Sequence, residues 1–185
     1  LKIVYTPLNG TGNVPVRRVL KELGFRVSWK LLAIGLYGVD EIPPSITRTD
    51  ITDYLEDSLT EINGQTDNTV ALICEKDAPE KFDKLLKKLA SEDAADSVIQ
   101  KRKWRICLLK NVIDNINGDA LQGLLELMEF WVSMGRPEDC PMAFPNSNNK
   151  KAVQEFYTQA SYDLNLSRNR EWLNEEISKI IKAEN

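Results

Sequence analysis

The segment from Asp119 to Gly135 (DALQGLLELMEFWVSMG) constrains the fold more than any other part of the sequence. Its apolar residues recur at three- and four-residue steps, which predicts an α-helix, and further apolar residues widen that stripe over most of the helix surface. The apolar positions are Leu121, Leu124, Leu125, Leu127, Met128, Phe130, Trp131, Val132 and Met134. A helix that is apolar on most sides has to be enclosed by other helices. We therefore predict a mainly α domain around this helix, which Asp119 caps and Gly135 ends.

The same periodicity, together with capping residues, predicts about seven helices packed as an orthogonal array or bundle. Thr69–Glu75 (TVALICE) is ambiguous, because its β-branched residues also permit a buried strand. We favour a short helix there, since the neighbouring segments are helical. Apart from Thr69–Glu75, seven segments carry the helical pattern: Ser28–Gly38, Thr47–Ile62, Pro79–Leu89, Ala94–Ile116, Asp119–Gly135, Lys150–Tyr162 and a last helix capped by Ser167.

The first 25 residues differ in character from the rest. Leu1–Thr6 predicts a short strand, Pro7–Gly12 is a loop with two glycines, and Val14–Leu23 predicts a helix. We therefore expect a β–loop–α appendage over residues 1–25, followed by a single helical domain over residues 26–185.

This opening, KIVYTPLNGTGNVPVRRVLKELGF, resembles a segment of the phosphohexomutases (phosphoglucomutase and phosphomannomutase), where it begins an internal α/β domain. Backbone amides of its loop suit a phosphate, although a plain βα turn is the simpler interpretation. Those enzymes also need phosphoserine, metal and sugar-binding loops of the TASHNP, DGDGDR and GEESGH types, and the sequence contains none of them. No catalytic residue is therefore carried over. The candidate phosphate contacts are Thr6, Asn9, Gly10, Thr11 and Gly12.

The region from residue 27 to residue 181 resembles an uncharacterised bacterial family. The resemblance rests on the entry VSWKLLAIGLYG and on the later pattern LLELMEFW…GRPEDCP…F…SYD…WLNEEI. It implies no established activity. Small helical bacterial families of this kind include immunity proteins that neutralise toxins, which makes an immunity-like inhibitor one expectation by analogy.

The chain contains no histidine. This excludes the Ser-His-Asp and Cys-His nucleophilic systems and the usual zinc ligands. The three cysteines, Cys74, Cys107 and Cys140, form no CxxC pair, so we expect reduced thiols in a cytoplasmic protein. We predict no cofactor and no metal, and an enzyme is the less favoured interpretation. No run of about 18 apolar residues is present, so no membrane span is expected.

Charge is concentrated between residues 40 and 77, which hold ten acidic residues and two basic ones. Five of the acids fall on the helix predicted to start at Thr47 or Thr49, where we expect them on its outer face. They are Asp50, Asp53, Glu56, Asp57 and Glu61. Acidic residues on one face of a helix can steer a basic protein partner toward it. The simpler interpretation of these five residues is that they form a solvated surface.

The basic stretch Lys101–Arg105 (KRKWR) is the corresponding candidate for nucleic-acid binding, with Trp104 stacking on a base. The alternative places Trp104 in the core with the basic residues around it. We favour that alternative, since acidic residues are interspersed nearby and the net charge of the chain is -4.

Overall fold

The computed structural model describes residues 23–59, 66–145 and 156–184, and these ranges are mainly helical. They contain no β-strand, and their isolated bridge joins Val39 to Ile42. The seven helices are α1 (Trp29–Tyr37), α2 (Arg48–Ser58), α3 (Thr66–Cys74), α4 (Pro79–Glu92), α5 (Ser97–Asn115), α6 (Ala120–Ser133) and α7 (Gln159–Glu184). The predicted fold class is confirmed, including a helix over most of Thr69–Glu75. The strand and loop expected over residues 1–12 lie outside the described residues.

The chain divides into two compact units, Leu1–Trp104 and Arg105–Asn185. Helix α5 contributes residues 97–104 to the first unit and residues 105–115 to the second. The expectation of a single helical domain over residues 26–185 stays a prediction, and each unit is described by itself.

The core of the first unit forms where α1 packs on α4 and where α3 packs on both α2 and α4. The largest side chains there are fully enclosed, which is the main source of stability in a small helical unit. They are Leu31, Ile51, Leu72, Phe82, Leu86 and Trp104. Pro79 opens α4 at a position where its missing N–H costs nothing, as the sequence predicted.

The start of α1 is capped twice. The Ser28 side chain accepts a hydrogen bond from the Leu31 amide at 3.1 Å, as predicted. The carboxylate of Asp93, which follows α4, accepts one from the Lys30 amide at 3.0 Å. Burial by itself raises the pKa of Asp93, but the hydrogen bonds from the Lys30 and Ala95 amides outweigh it and lower that pKa. The capping carboxylate therefore ties the end of α4 to the start of α1.

The second unit is built on the packing of α6 against α7. The predicted central helix is confirmed: the Asp119 side chain accepts from the Gln122 amide at 2.9 Å, and Gly135 has the left-handed φ of +73°. Its predicted enclosure is wrong in part, because Leu121 and Val132 are 50% and 48% exposed. The buried face consists of Gly123, Leu124, Leu127, Phe130, Trp131 and Met134.

Helix α7 runs without interruption through Ser167, so the predicted cap at Ser167 is wrong. The Ser167 hydroxyl donates to Glu171 Oε1 one turn later, at 3.0 Å, instead of to a helix terminus. No glycine or proline lies between Tyr162 and Trp172 to break the helix. A serine in such a run bonds within the helix, and local capping preference does not stop the helix there.

Two asparagines on the buried face of α7 were missed by the sequence analysis. Asn169 is fully buried and accepts the Trp131 indole hydrogen at 2.6 Å. Asn165 is 1% exposed and accepts the Ala143 amide hydrogen at 3.0 Å. The first bond joins α7 to α6, and the second joins α7 to the connection that follows α6. No local signal marks either residue, because both partners are distant in the sequence.

Candidate functional site

The acidic helix α2 begins with a reciprocal capping box that uses one of the predicted surface acids. The Thr47 side chain accepts from the Asp50 amide at 3.3 Å, and the Asp50 carboxylate accepts from the Thr47 amide at 2.7 Å. Asp50 is only 4% exposed, so its expected place on the outer face is wrong. The spacing Thr-x-x-Asp is the sequence signal that identifies this structural role.

The remaining described acids of α2 form an exposed acidic surface, which consists of Asp53, Glu56 and Asp57. Asp53 is half-buried, whereas Glu56 and Asp57 are exposed. Glu61 lies outside the described residues. Lys76, in the turn between α3 and α4, approaches Glu56 at 3.9 Å.

Glu56 and Asp57 occupy the last turn of α2, which contains no basic residue. The C-terminal end of a helix carries the negative end of its dipole, so a carboxylate there is unfavourable by about 0.3–1 kcal/mol. The long contact between Glu56 and Lys76 is exposed on both sides and offsets little of this cost. The dipole of α2 therefore does not by itself account for the position of Glu56.

Arg48, in the first turn of α2, is committed to a structural contact with Asp83 of α4. Arg48 forms two hydrogen bonds with the carboxylate of Asp83, at 2.8 and 2.7 Å. This bond from Arg48 lowers the pKa of Asp83. The Tyr37 hydroxyl lies 3.5 Å from the Asp83 carbonyl oxygen, and burial followed by the proximity of Asp83 raises the pKa of Tyr37. The cluster of Tyr37, Arg48 and Asp83 therefore joins α1, α2 and α4.

Three residues of the basic stretch at residues 101–105 are committed to contacts within the protein. Trp104 is fully buried and donates its indole hydrogen to the Leu31 carbonyl oxygen at 2.7 Å, so its face is unavailable to a base. Lys103 is also fully buried, with its Nζ 2.6 Å from the Arg26 carbonyl oxygen. Lys101 forms an ion pair with Asp40 at 2.9 Å. These placements agree with the interpretation of Trp104 as a core residue.

The other candidate sites are less developed. Thr6, Asn9, Gly10, Thr11 and Gly12, the candidate phosphate contacts, lie outside the described residues. Within the described ranges, no three potential metal ligands come together. A shallow groove is lined by five residues of α7 alone, so it encloses no ligand. Its lining consists of Asn174, Glu175, Ser178, Lys179 and Lys182.

The three cysteines are separate and differ in environment. Cys74 is exposed, Cys107 is buried and Cys140 is half-buried. Burial raises the pKa of the Cys140 thiol, which makes this thiol a poorer nucleophile at neutral pH. Cys140 therefore does not have the environment of an activated cysteine.

The described residues form a mainly helical protein, and comparison with known proteins assigns the chain to a family. Residues 19–177 match the family described as "Uncharacterized protein conserved in bacteria (DUF2247)". The chain belongs to this family. No curated protein and no solved structure matches the chain, so the phosphohexomutase resemblance of residues 1–25 gains no support there. In the described part of the chain, no helix has the length and apolar character needed to cross a membrane.

Proposed function

We propose that this protein is a non-enzymatic interaction module that binds a basic protein partner through the acidic surface of Asp53, Glu56 and Asp57. The predicted participation of Glu61 stays part of this proposal. Asp50 is excluded as a contact residue because it is buried in the capping box. Acidic residues that face a basic partner raise the association rate and favour that partner over others.

The observation that carries the proposal is the position of Glu56 and Asp57 in the last turn of α2. A carboxylate at this end of a helix opposes the helix dipole, and a cost of this kind persists where binding requires it. Both side chains are exposed. Their contribution to binding and their contribution to stability should therefore have opposite signs.

The test uses the double variant Glu56→Lys/Asp57→Lys in a pull-down from the source cell at low and high salt. We expect wild type to capture a basic protein at low salt and the double variant to lose it. The same variant should raise the free energy of unfolding by about 0.5 kcal/mol per residue, because lysine is favourable at this end of a helix. The stability gain shows that loss of capture does not result from unfolding.

The matched control is Glu171→Lys/Glu175→Lys, which makes the same change of net charge on exposed positions in the middle of α7. We expect it to retain capture. If both double variants lose capture equally, the loss results from the change in net charge and not from the acidic surface. A wild-type protein that captures nothing at low salt would contradict the proposal.

Within this class we propose an immunity-like role, in which the partner is a basic toxin and the protein acts in the cytoplasm. The support is the combination of a small helical bacterial family and an acidic surface. Co-expression with a toxin encoded beside the gene should restore growth, and Glu56→Lys/Asp57→Lys should not. If wild type does not protect the cells from the toxin but still captures another basic protein, the immunity-like role is wrong and the proposal of an interaction module stands.

A further inference from the structure

Arg136, directly after α6, has a backbone conformation that residues with side chains rarely adopt. Its φ is +49°, and it follows Gly135 at +73°. The Arg136 amide donates to the Trp131 carbonyl oxygen at 2.9 Å, which closes the end of the helix. Glycine or asparagine would suit this backbone better. An arginine here therefore needs a reason that lies in its side chain.

The Arg136 side chain is held in place by an aromatic platform. Its guanidinium carbon lies 4.4 Å from the centre of the Phe144 ring. The neighbouring Ala143 amide is bound by Asn165, which is almost completely buried, so the platform is attached to α7. Arg136 itself is exposed. Within the described residues no carboxylate lies at ion-pair distance from it, so the guanidinium is positioned in advance without being neutralised.

The surrounding charges favour a single anionic group over a polyanion. Arg105 Nη1 lies 3.5 Å from Asp139 Oδ1, so these two charges largely compensate each other. Glu138, two residues after Arg136 in the sequence, is exposed as well. Counted together, these four side chains carry two positive and two negative charges. A nucleic acid would meet no net attraction here, because its binding depends on neutralising several phosphates.

We infer that Arg136, displayed on Phe144, anchors a single carboxylate of a partner protein. A planar guanidinium offers two parallel N–H groups that match a carboxylate, and stacked arginines are frequent energetic centres of protein interfaces. This site belongs to the second unit and does not depend on the acidic surface of α2. It gives the protein a second, oppositely charged contact.

The probe is a blocked peptide that carries a single glutamate, titrated into labelled full-length protein while the Arg136 Nε–H and Phe144 ring NMR signals are followed. We expect both signals to shift, and Arg136→Gln to weaken binding about 10-fold. Arg136→Lys should restore only part of it, since lysine keeps the charge but lacks the planar fork. Arg168→Gln, an exposed arginine on α7, is the matched control and should bind as wild type does.

Three results would overturn the inference. They are shifts elsewhere without shifts at Arg136 and Phe144, equal weakening by Arg168→Gln, and inorganic phosphate binding at Arg136 as tightly as the peptide. If Arg136→Gln fails to fold, Phe144→Leu takes its place and should also weaken binding. The pattern of shifts in wild type decides the outcome independently of either variant.

Discussion

The indole ring of Trp104 occupies the space that a side chain on Gly35 would need. A Cβ placed on Gly35 would lie 2.1 Å from Trp104 Cζ2 and 2.8 Å from Ile46 Cδ1. The same indole donates to the Leu31 carbonyl oxygen, one turn earlier on α1. Helices α1 and α5 therefore approach each other through a contact that only glycine permits.

Gly35→Ala should destabilise the protein by about 2 kcal/mol or more, because the added methyl group overpacks a closed contact. Urea denaturation followed by tryptophan fluorescence measures this change. Gly118→Ala is the control, since a Cβ at Gly118 would have no atom within 4 Å. It should be neutral or slightly stabilising. Equal denaturation midpoints for the two variants would contradict the packing described for Gly35.

Asn169→Leu should cost about 1–3 kcal/mol, because it leaves the buried Trp131 indole hydrogen without an acceptor. Trp131→Phe removes that donor, and the double variant should lose less than the sum of the two single losses. Thermal and urea unfolding of the four proteins gives the coupling energy. Additive losses would show that the bond does not contribute. Asn174→Leu, at an exposed position on α7, should change little.

Asp83→Asn should make the stability of the protein depend less on pH in the acid range. The bond from Arg48 lowers the folded-state pKa of Asp83 below its ordinary value of 3.8. The resulting stabilisation is present above pH 3.8 and is lost as the pH falls through the folded-state pKa. Thermal melts of wild type from neutral to acid pH should therefore converge on those of the variant. Glu129→Gln, at an exposed carboxylate, is the control. A difference in melting temperature between wild type and Asp83→Asn that stays the same at acid pH would contradict the prediction.

Ser167→Ala distinguishes a continuous α7 from a helix that starts at Ser167. In mid-helix, alanine should raise the free energy of unfolding by about 0.5 kcal/mol through its helix propensity. At an N-cap the same change would lower it by about 1 kcal/mol. Urea denaturation gives the sign directly. A loss of stability would contradict the uninterrupted helix Gln159–Glu184.

Features that depend on a few neighbouring residues were predictable from the sequence. Ser28 and Asp119 cap their helices, and Pro79 opens α4, because each signal acts within about one turn. The helical state of residues 69–74 followed from the helical neighbours of this segment. The capping box of Thr47 and Asp50 was also present in the sequence, but the charge of Asp50 suggested a surface role.

The sequence by itself determined that this chain is mainly helical, where most of its helices begin, and that an acidic stretch falls on the helix that follows Thr47. Only the tertiary structure decided which apolar residues of α6 are buried, because apolar side chains cover too much of that helix for periodicity to select one face. It also decided the roles of Asn165 and Asn169, whose partners are 22 and 38 residues away. The physical reason is range: caps and periodicity act over a few residues, whereas burial depends on segments that meet only in the folded chain.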